Sequence, residues 1–399
     1  MRLIWAILLS VAFATMGHAD GAFSGWVQVE LRRAALADGI GARVFDQTML
    51  GLEPDLELPG LEGQGNEGAQ QAEFASASRY FGNQILKSTT AIGIEKAAQH
   101  KALLNRLEVH FGVAGHILLG IWGRESAFGR APLRNDAVQV LATRAFYGPR
   151  KGYYRQELLA ALHLIDKGIV PRGGLRASWG GAVGQPQFMP SNIVSFAKDG
   201  DGDGRIDLVG SPEDSLASIA SFLIAHGWTK GRDWGFEVLV PQAVGCEFEG
   251  LDRARTIADW QAMGVRRANG RPFPTHETDG LAALMMPAGR NGPAFLVTPN
   301  FYVLKAYNNS DLYALFVGHL GDRIAFGLGD FFGGWAAHPE VSRNDIRTIQ
   351  RALIDKGYDV GGQDGLVGFK TRRSIGKWQR SQGQAVTCYP SRALVRRFR

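Results

Sequence analysis

The apolar run from Val113 to Trp122 places the strongest constraint on the fold, because it ends beside a single carboxylate, Glu125. If the run is helical, Leu118, Ile121 and Glu125 lie at i, i+3 and i+7 on one face. Glu125 would then enter a partly dry site. Desolvation raises the pKa of a carboxylic acid, so the acid can still donate a proton near neutral pH. A solvated Glu at a helix end is the alternative for an isolated residue.

The N-terminus has the pattern of a secretory signal peptide. Arg2 is followed by an apolar run from Leu3 to Phe13, and small residues lead to a cleavage site after Ala19. The run is too short for a comfortable membrane span, and no later segment is long and apolar enough to form one. We therefore predict a signal peptide over residues 1–19, export to the periplasm, and no transmembrane segment in the mature chain.

The composition is that of a folded globular protein with a basic C-terminus. The chain has 399 residues, enough for two or three domains, with 45% hydrophobic and 21% charged residues. Its formal net charge is +6. The basic excess is concentrated at the end of the sequence, in Arg392, Arg396, Arg397 and Arg399. In an exported protein we expect the polyanionic partner to be the cell envelope rather than nucleic acid.

Hydrophobic periodicity divides the chain into helical and strand-like regions. Residues 20–50 are predicted to begin with a helix, and residues 51–72 to form an exposed arm. The pattern is mostly helical from Ile94 to Trp228 and again from Tyr307 to Gly329. Between them, residues 230–300 contain short apolar pieces separated by Gly, Pro and polar turns, which predicts a small subdomain of strands.

The segment Ser178–Ser191 is dense in glycine, aromatic and amide residues. Its glycines let the backbone approach a ligand closely. Ser178 and Gln187 can hydrogen-bond sugar hydroxyls or an acetamide, and Trp179 or Phe188 can stack on a pyranose. The alternative interpretation is a glycine-rich turn before a helix.

A third segment, residues 300–314, carries polar aromatic residues. Tyr307 and Tyr313 can line a cleft and still present hydroxyl groups. The alternative is helix capping, because Asn308, Asn309 and Ser310 are all favourable N-cap residues. Both interpretations can hold together.

These three segments, in this order, resemble the lytic murein transglycosylases of the membrane-bound B type, over most of residues 25–335. The resemblance implies a mainly α fold of the α+β type, with a lysozyme-like catalytic domain over 20–335 and a small inserted subdomain. It implies that Glu125 is the one catalytic carboxylate. The substrate-binding residues that it implies are Ser178, Gln187, Tyr307, Asn308 and Tyr313. The pair Gln185-Pro186 departs from the family pattern of an aromatic residue followed by Gly.

The activity implied by the resemblance is non-hydrolytic cleavage of the β-1,4 bond between N-acetylmuramic acid and N-acetylglucosamine in peptidoglycan. Glu125 would act first as acid and then as base, giving a 1,6-anhydro product. A hydrolysing muramidase on the same fold is one alternative. A wall-binding scaffold that holds glycan without cutting it is another.

An acidic loop over residues 199–214 matches the start of an EF-hand. Asp199, Asp201 and Asp203 occupy positions 1, 3 and 5, and Arg205 would supply its backbone carbonyl. Position 12 is Gly instead of the usual bidentate Glu. The resemblance implies a longer calcium loop here, closed by Glu213 or Asp214, and we favour Asp214 because it aligns with the acidic residue that opens the following helix. We therefore expect a structural Ca²⁺ ion and no cofactor for the chemistry, with a metal-free acidic turn as the alternative.

Residues 341–399 resemble the small three-helix peptidoglycan-binding module found beside many cell-wall hydrolases. Asp364-Gly365 and Gly368 would form its loop, and Thr371 would cap the next helix. The module could act as a tether that holds the enzyme on the wall, in company with other cell-wall enzymes. Alternatively, it packs on the catalytic domain and stabilises it. An oxidising compartment would permit a disulfide between the two cysteines of the chain, Cys246 and Cys388.

Overall fold

The computed structural model describes residues 21–61, 77–335 and 341–399. The predicted signal peptide over 1–19 lies outside these residues, as does most of the predicted arm beyond residue 61. The described residues form two compact units, the first from residues 21–61 and 121–222 and the second from 77–120, 223–335 and 341–399. The described residues contain no helix that combines the length and apolar character needed to cross a membrane.

The first unit is helical. Its helices span Arg32–Ala37, Ala42–Met49, Ala137–Tyr147, Lys151–Asp166 and Pro190–Phe196. Two short strands, β1 (Asn135–Asp136) and β2 (Arg176–Ala177), pair antiparallel. Two of the boundaries between the units, after residues 120 and 222, fall inside helices. These helices are Gly115–Ser126 and Pro212–Ala225.

The first helical segment buries a different face from the predicted one. In the sequence of this segment, Trp26, Val29 and Ala34 lie on a helical period and predict its apolar face, but Val29 is 65% exposed. The buried residues follow a strict spacing of four instead: Phe23, Val27, Leu31 and Ala35. A π-helical stretch over Val27–Leu31 explains the change. Its wider i→i+5 turn keeps residues four apart on one face, and the prediction assumed an ordinary α-helix.

The second unit contains the predicted strands. These are β3 (Gly235–Leu239), β4 (Arg255–Thr256), β5 (Arg266–Arg267), β6 (Leu281–Met285) and β7 (Ala294–Val297). They form an antiparallel sheet in the order β4-β6-β7-β3-β5. One face packs on a core that includes Trp260, whose indole Nε1 donates to the carbonyl of Ala282 at 2.9 Å. The prediction of a small strand subdomain is therefore confirmed.

The helices of the second unit lie on both sides of this sheet in sequence. They span Ala77–Tyr80, Asn83–Gln99, Lys101–Phe111, Ile257–Ala262, Pro299–Tyr307, Asp311–Phe326, Arg343–Ile354, Phe369–Ser381 and Arg392–Phe398. Ser310 caps the helix Asp311–Phe326 by accepting from the Tyr313 N–H. The capping alternative for residues 308–310 therefore holds at Ser310.

The last three helices form the predicted terminal module. They enclose a core of Ile349, Leu353, Val360, Ile375, Trp378, Leu394 and Val395. The buried amide of Gln350 fixes the loop, because it donates to Asp364 Oδ1 at 3.0 Å and accepts from the Gly365 N–H at 2.8 Å. The prediction that Thr371 caps a helix is wrong. The N-cap of the helix Phe369–Ser381 is Gly368, whereas Thr371 is buried inside the helix and donates to the Val360 carbonyl.

This module is docked on the sheet of the second unit. Cys246 and Cys388 form a disulfide across 142 residues of sequence. Beside it, the guanidinium Nε of Arg372 donates to both carboxylate oxygens of Glu249, at 3.0 and 3.1 Å. The side chains of this pair are 3% and 1% exposed. The structure thus shows the terminal module packed on the sheet subdomain, as the second of the two alternatives expects.

Candidate active site

Glu125 lies in the last turn of the helix Gly115–Ser126. Leu118 and Ile121, which precede it on the same face, are fully buried, and Glu125 itself is half-buried. Glu125 therefore follows two buried residues on one face of the helix and is itself partly shielded from water.

The chain reverses sharply after Glu125. Ala127, Phe128 and Gly129 have φ values of 49°, 61° and 76°, all in the left-handed region. For a residue with a side chain, this conformation costs about 1 kcal/mol or more, so the surrounding contacts must hold it. Ser126 supplies one of them, because its buried hydroxyl oxygen accepts from the Gly129 N–H at 3.0 Å.

Gln185 supports the turn through hydrogen bonds of its side chain. Its side-chain oxygen accepts from the indole Nε1 of Trp122 at 2.8 Å, and its amide donates to the carbonyl of Val209 at 2.9 Å. A Cβ on Gly129 would lie 2.7 Å from the same side-chain oxygen. Gln185 thus ties the helix of Glu125 to the end of the acidic loop. The sequence showed Gln185 only as a departure from the family pattern, and its hydrogen bonds to this turn and to the acidic loop were not predicted.

Ser178 and Gln187 lie in the same unit as Glu125, and both are half-buried. The Ser178 N–H bonds to the Ala182 carbonyl at 2.9 Å, which closes the tight turn at Gly180-Gly181. Gln187 has a left-handed φ of 53°, and its amide donates to the Gly184 carbonyl at 2.9 Å. The turn alternative therefore holds for this segment, and the contacts of Ser178 and Gln187 with glycan stay predictions.

The Tyr307–Tyr313 segment belongs to the second unit and joins two of its helices. The rings of Tyr307 and Tyr313 stack with centroids 6.4 Å apart and planes 13° apart. Tyr307 and Asn308 are half-buried, whereas Tyr313 is 1% exposed. Tyr313 therefore packs behind Tyr307, and its contact with substrate stays a prediction.

The acidic loop brings three of its predicted ligands together. Carboxylate oxygens of Asp199, Asp201 and Asp203 lie within 4.8 Å of one another, and all three residues are exposed. The carboxylate of Asp199 accepts the N–H groups of Gly204 and Gly202. These bonds hold the pKa of the Asp199 carboxyl below its ordinary value.

Asp214 is placed differently from the other three carboxylates. Its residue is 1% exposed, and its two oxygens accept from the N–H groups of Gly200 at 2.8 Å and Asp207 at 2.7 Å. Burial raises the pKa of the Asp214 carboxyl despite these bonds. The structure therefore shows Asp214 closing the loop through the backbone, and does not group it with Asp199, Asp201 and Asp203. Arg205 is exposed, and its N–H donates to Asp203 Oδ1 at 2.8 Å.

Residues 22–322 match the family model described as a transglycosylase SLT domain. The chain belongs to this transglycosylase family. A second model, described as a putative peptidoglycan binding domain, matches residues 342–397. Both matches confirm the family resemblance of the sequence and the order of the two modules.

Several known proteins resemble this member of the transglycosylase family. Membrane-bound lytic murein transglycosylase B of Escherichia coli is 32% identical over 248 residues, which cover 62% of this chain and 67% of that protein. SltB3 of Pseudomonas aeruginosa, solved in complex with NAG-NAM-pentapeptide, is 37% identical with a TM-score of 0.85, covering 94% of this chain and 99% of that one. Escherichia coli Slt35, solved in complex with calcium, is 29% identical with a TM-score of 0.54, covering 64% and 80%. The fold predicted for this transglycosylase is thereby confirmed.

Proposed function

We propose that this transglycosylase cleaves the β-1,4 bond between N-acetylmuramic acid and N-acetylglucosamine in peptidoglycan without water, leaving 1,6-anhydro ends. The observation that carries the proposal is the position of Glu125. Leu118 and Ile121 precede it on a buried face of its helix, and the strained turn that follows is braced by Ser126 and Gln185. A carboxylate held in this way keeps one orientation through two successive proton transfers.

Glu125 acts first as an acid. Its proton passes to the glycosidic oxygen while the bond between that oxygen and C1 of the muramic acid breaks. The carbonyl oxygen of the sugar's own acetamide bonds to C1 and takes up the positive charge, so a second enzyme carboxylate is not needed. The Glu125 carboxylate then accepts the proton of the C6 hydroxyl. O6 bonds to C1, displaces the acetamide oxygen and completes the anhydro ring.

The remaining residues bind and orient the glycan in this proposal. The hydroxyl of Ser178 and the amide of Gln187 bond to sugar hydroxyl or acetamide groups. Tyr307 and Asn308 contact the sugar beside the scissile bond, and Tyr313 supports the Tyr307 ring by stacking. The stacking distance and the burial of Tyr313 support this division of roles.

Product analysis of digested cell-wall sacculi tests the reaction. Anhydro ends are expected; reducing ends would indicate a hydrolysing muramidase, and absence of cleavage would indicate a binding scaffold. Glu125→Gln keeps the shape but removes the transferable proton, so turnover should fall by at least about a hundredfold while glycan binding persists. Glu53→Gln, a change at an exposed position of the same unit, is the matched control. Wild-type turnover in Glu125→Gln would refute the assignment.

We further propose that the acidic loop binds a structural Ca²⁺ ion. Its donors are oxygen atoms only, which suits a hard cation such as Ca²⁺. Asp199, Asp201 and Asp203 would hold the ion, with Arg205 offering its carbonyl, and Asp214 would keep the loop closed from its buried position. The ion would supply charge compensation for the clustered carboxylates. The calcium complex of Slt35 supports this proposal.

The proposed site of action is the periplasm. The predicted signal peptide over 1–19 and the disulfide both suit an exported protein, because disulfides persist in oxidising compartments. Peptidoglycan glycan strands are the proposed partner of both modules, and other cell-wall enzymes are the proposed protein partners. Because the terminal module is docked on the sheet, it would present the wall at a fixed place relative to Tyr307 and Asn308, which belong to the same unit.

A further inference from the structure

Aromatic rings and guanidinium groups alternate along one stack in the first unit. The Arg144 guanidinium lies 5.2 Å from the ring centroid of Trp179 and 5.4 Å from that of Tyr154. Arg150 continues the series, 6.0 Å from the Tyr154 ring and 4.1 Å from the Tyr153 ring. Trp179 ends the stack and is 56% exposed, whereas Arg144 inside it is 3% exposed.

Arg144 also fixes the backbone that carries Trp179. Its Nε and Nη2 donate to the Trp179 carbonyl at 3.1 and 3.0 Å, and Nη2 donates to the Pro59 carbonyl at 2.9 Å. The indole is therefore held in solvent by a buried side chain. The other stacking candidate of the segment, Phe188, is 1% exposed and packs against Phe222. Of the two rings, only that of Trp179 is accessible to a ligand.

An exposed aromatic ring that is fixed in place beforehand is well suited to anchor a ligand. The C–H face of a pyranose packs well on a flat indole, while the hydroxyl groups at its rim stay hydrated or bonded. Because Arg144 fixes the ring beforehand, little conformational entropy would be lost on binding. Trp179 also directly follows Ser178, which the proposed function assigns to the glycan.

We propose that Trp179 is a stacking platform for one N-acetylhexosamine residue of a glycan strand, positioned by Arg144. This proposal rests on the proposed function, because it assumes that the ligand is glycan. The platform adds a subsite beyond the sugars flanking the scissile bond, so it should matter for longer strands more than for short fragments.

Binding of soluble, uncleaved peptidoglycan glycan fragments, measured by calorimetry in the Glu125→Gln background, tests the platform without requiring turnover. Trp179→Ala should weaken binding of long fragments about tenfold and leave short fragments nearly unchanged. Trp179→Phe keeps a flat ring and should retain most of the affinity. Phe332→Ala removes a 68% exposed ring in the second unit and serves as the matched control.

Unchanged affinity of Trp179→Ala for long fragments would overturn the proposal, as would an equal loss in Phe332→Ala. If Trp179→Ala fails to fold, Trp179→Leu decides, because it keeps apolar bulk without a flat ring. Weakened binding in folded Trp179→Leu supports stacking, and full binding overturns it. Failure of the proposed reaction is seen separately, as wild-type protein that binds the fragments but leaves sacculi uncut.

Discussion

Glu249 of the sheet subdomain and Arg372 of the terminal module form a buried ion pair, in which Nε of Arg372 donates to both carboxylate oxygens at 3.0 and 3.1 Å and Nη2 donates to Oε1. Glu249 also accepts the N–H of Met286 at 2.8 Å, so the carboxylate bonds to both sides of the junction. The sheet subdomain and the terminal module together shield this ion pair from water. Removing either side chain should therefore weaken the docking of the terminal module.

Arg372→Met should lower the free energy of unfolding by about 3–5 kcal/mol, because it leaves the Glu249 carboxylate buried without its partner. Adding Glu249→Leu should restore much of the loss, since both charges are then removed. Arg373→Met is the control, because its partner Asp252 is half-exposed and such pairs contribute about 1 kcal/mol or less. Urea unfolding measures all variants; a loss for Arg372→Met no larger than for Arg373→Met would contradict the prediction.

Reduction of the Cys246–Cys388 disulfide should lower the stability of the second unit by about 2–5 kcal/mol. Cys246→Ser with Cys388→Ser should reproduce this loss and be insensitive to reductant. Thermal melts with and without reductant provide the measurement. A melting temperature that is equal for oxidised and reduced wild type would show that the remaining contacts alone hold the module.

Calcium should raise the melting temperature of the wild type, because a ligand that binds only the folded state stabilises it by about 2.7 kcal/mol at a hundred times its Kd. Asp201→Asn combined with Asp203→Asn should abolish this gain. In chelator the double variant should be at least as stable as the wild type, because repulsion between the clustered carboxylates is relieved. Asp355→Asn, an exposed change elsewhere, should keep the full response. A wild type that does not respond to calcium or chelator would refute the metal site.

Asp322 should make stability fall as pH rises. Burial raises the pKa of its carboxyl to about 8, even though it accepts from the Trp234 indole at 3.0 Å. The native state therefore binds a proton that the unfolded state releases above about pH 4. The stability contribution is complete below that pH and is lost as pH rises through 8, at up to about 1.4 kcal/mol per pH unit.

Asp322→Asn should flatten this part of the stability curve and keep the bond from Trp234. Asp279→Asn, an exposed change in the same unit, should leave the slope unaltered. Urea unfolding at pH 5, 7 and 9 gives the comparison. An Asp322→Asn variant that keeps the wild-type slope would assign the pH dependence to another group.

Local patterns in the sequence predicted the parts of the fold that depend on local forces. The helix that carries Glu125 follows hydrophobic periodicity, and the strand subdomain follows short apolar pieces that alternate with turns. The three terminal helices were implied by the resemblance of residues 341–399 to a known module. The predicted buried face of the first helix was wrong because the amino-acid composition does not indicate where a π-helical turn forms. The role of Thr371 was predicted wrongly because a threonine can either cap a helix or be buried with its hydroxyl bonded, and the residue type does not tell which. In the fold, its hydroxyl donates to the Val360 carbonyl.

Contacts between distant residues could not be predicted in the same way. Gln185 and Trp122 are 63 residues apart, and Glu249 and Arg372 are 123 apart. Nothing in either neighbourhood indicates the partner. Cys388 has a left-handed φ of 61°, and its disulfide partner Cys246 lies 142 residues earlier in the sequence. The three-dimensional structure alone shows this pairing and the backbone conformation that accompanies it.

The sequence separation of Cys246 and Cys388 also determines when their disulfide can first form during synthesis of the chain. Another 142 residues must emerge after Cys246 before its partner becomes available. The chain contains two cysteines, so no other intramolecular pairing competes. Oxidation therefore has one internal outcome, and chain elongation, rather than disulfide reshuffling, determines when it can be reached. Until then, Cys246 is a thiol open to capture by another molecule, and a covalent dimer is the characteristic error that this arrangement invites.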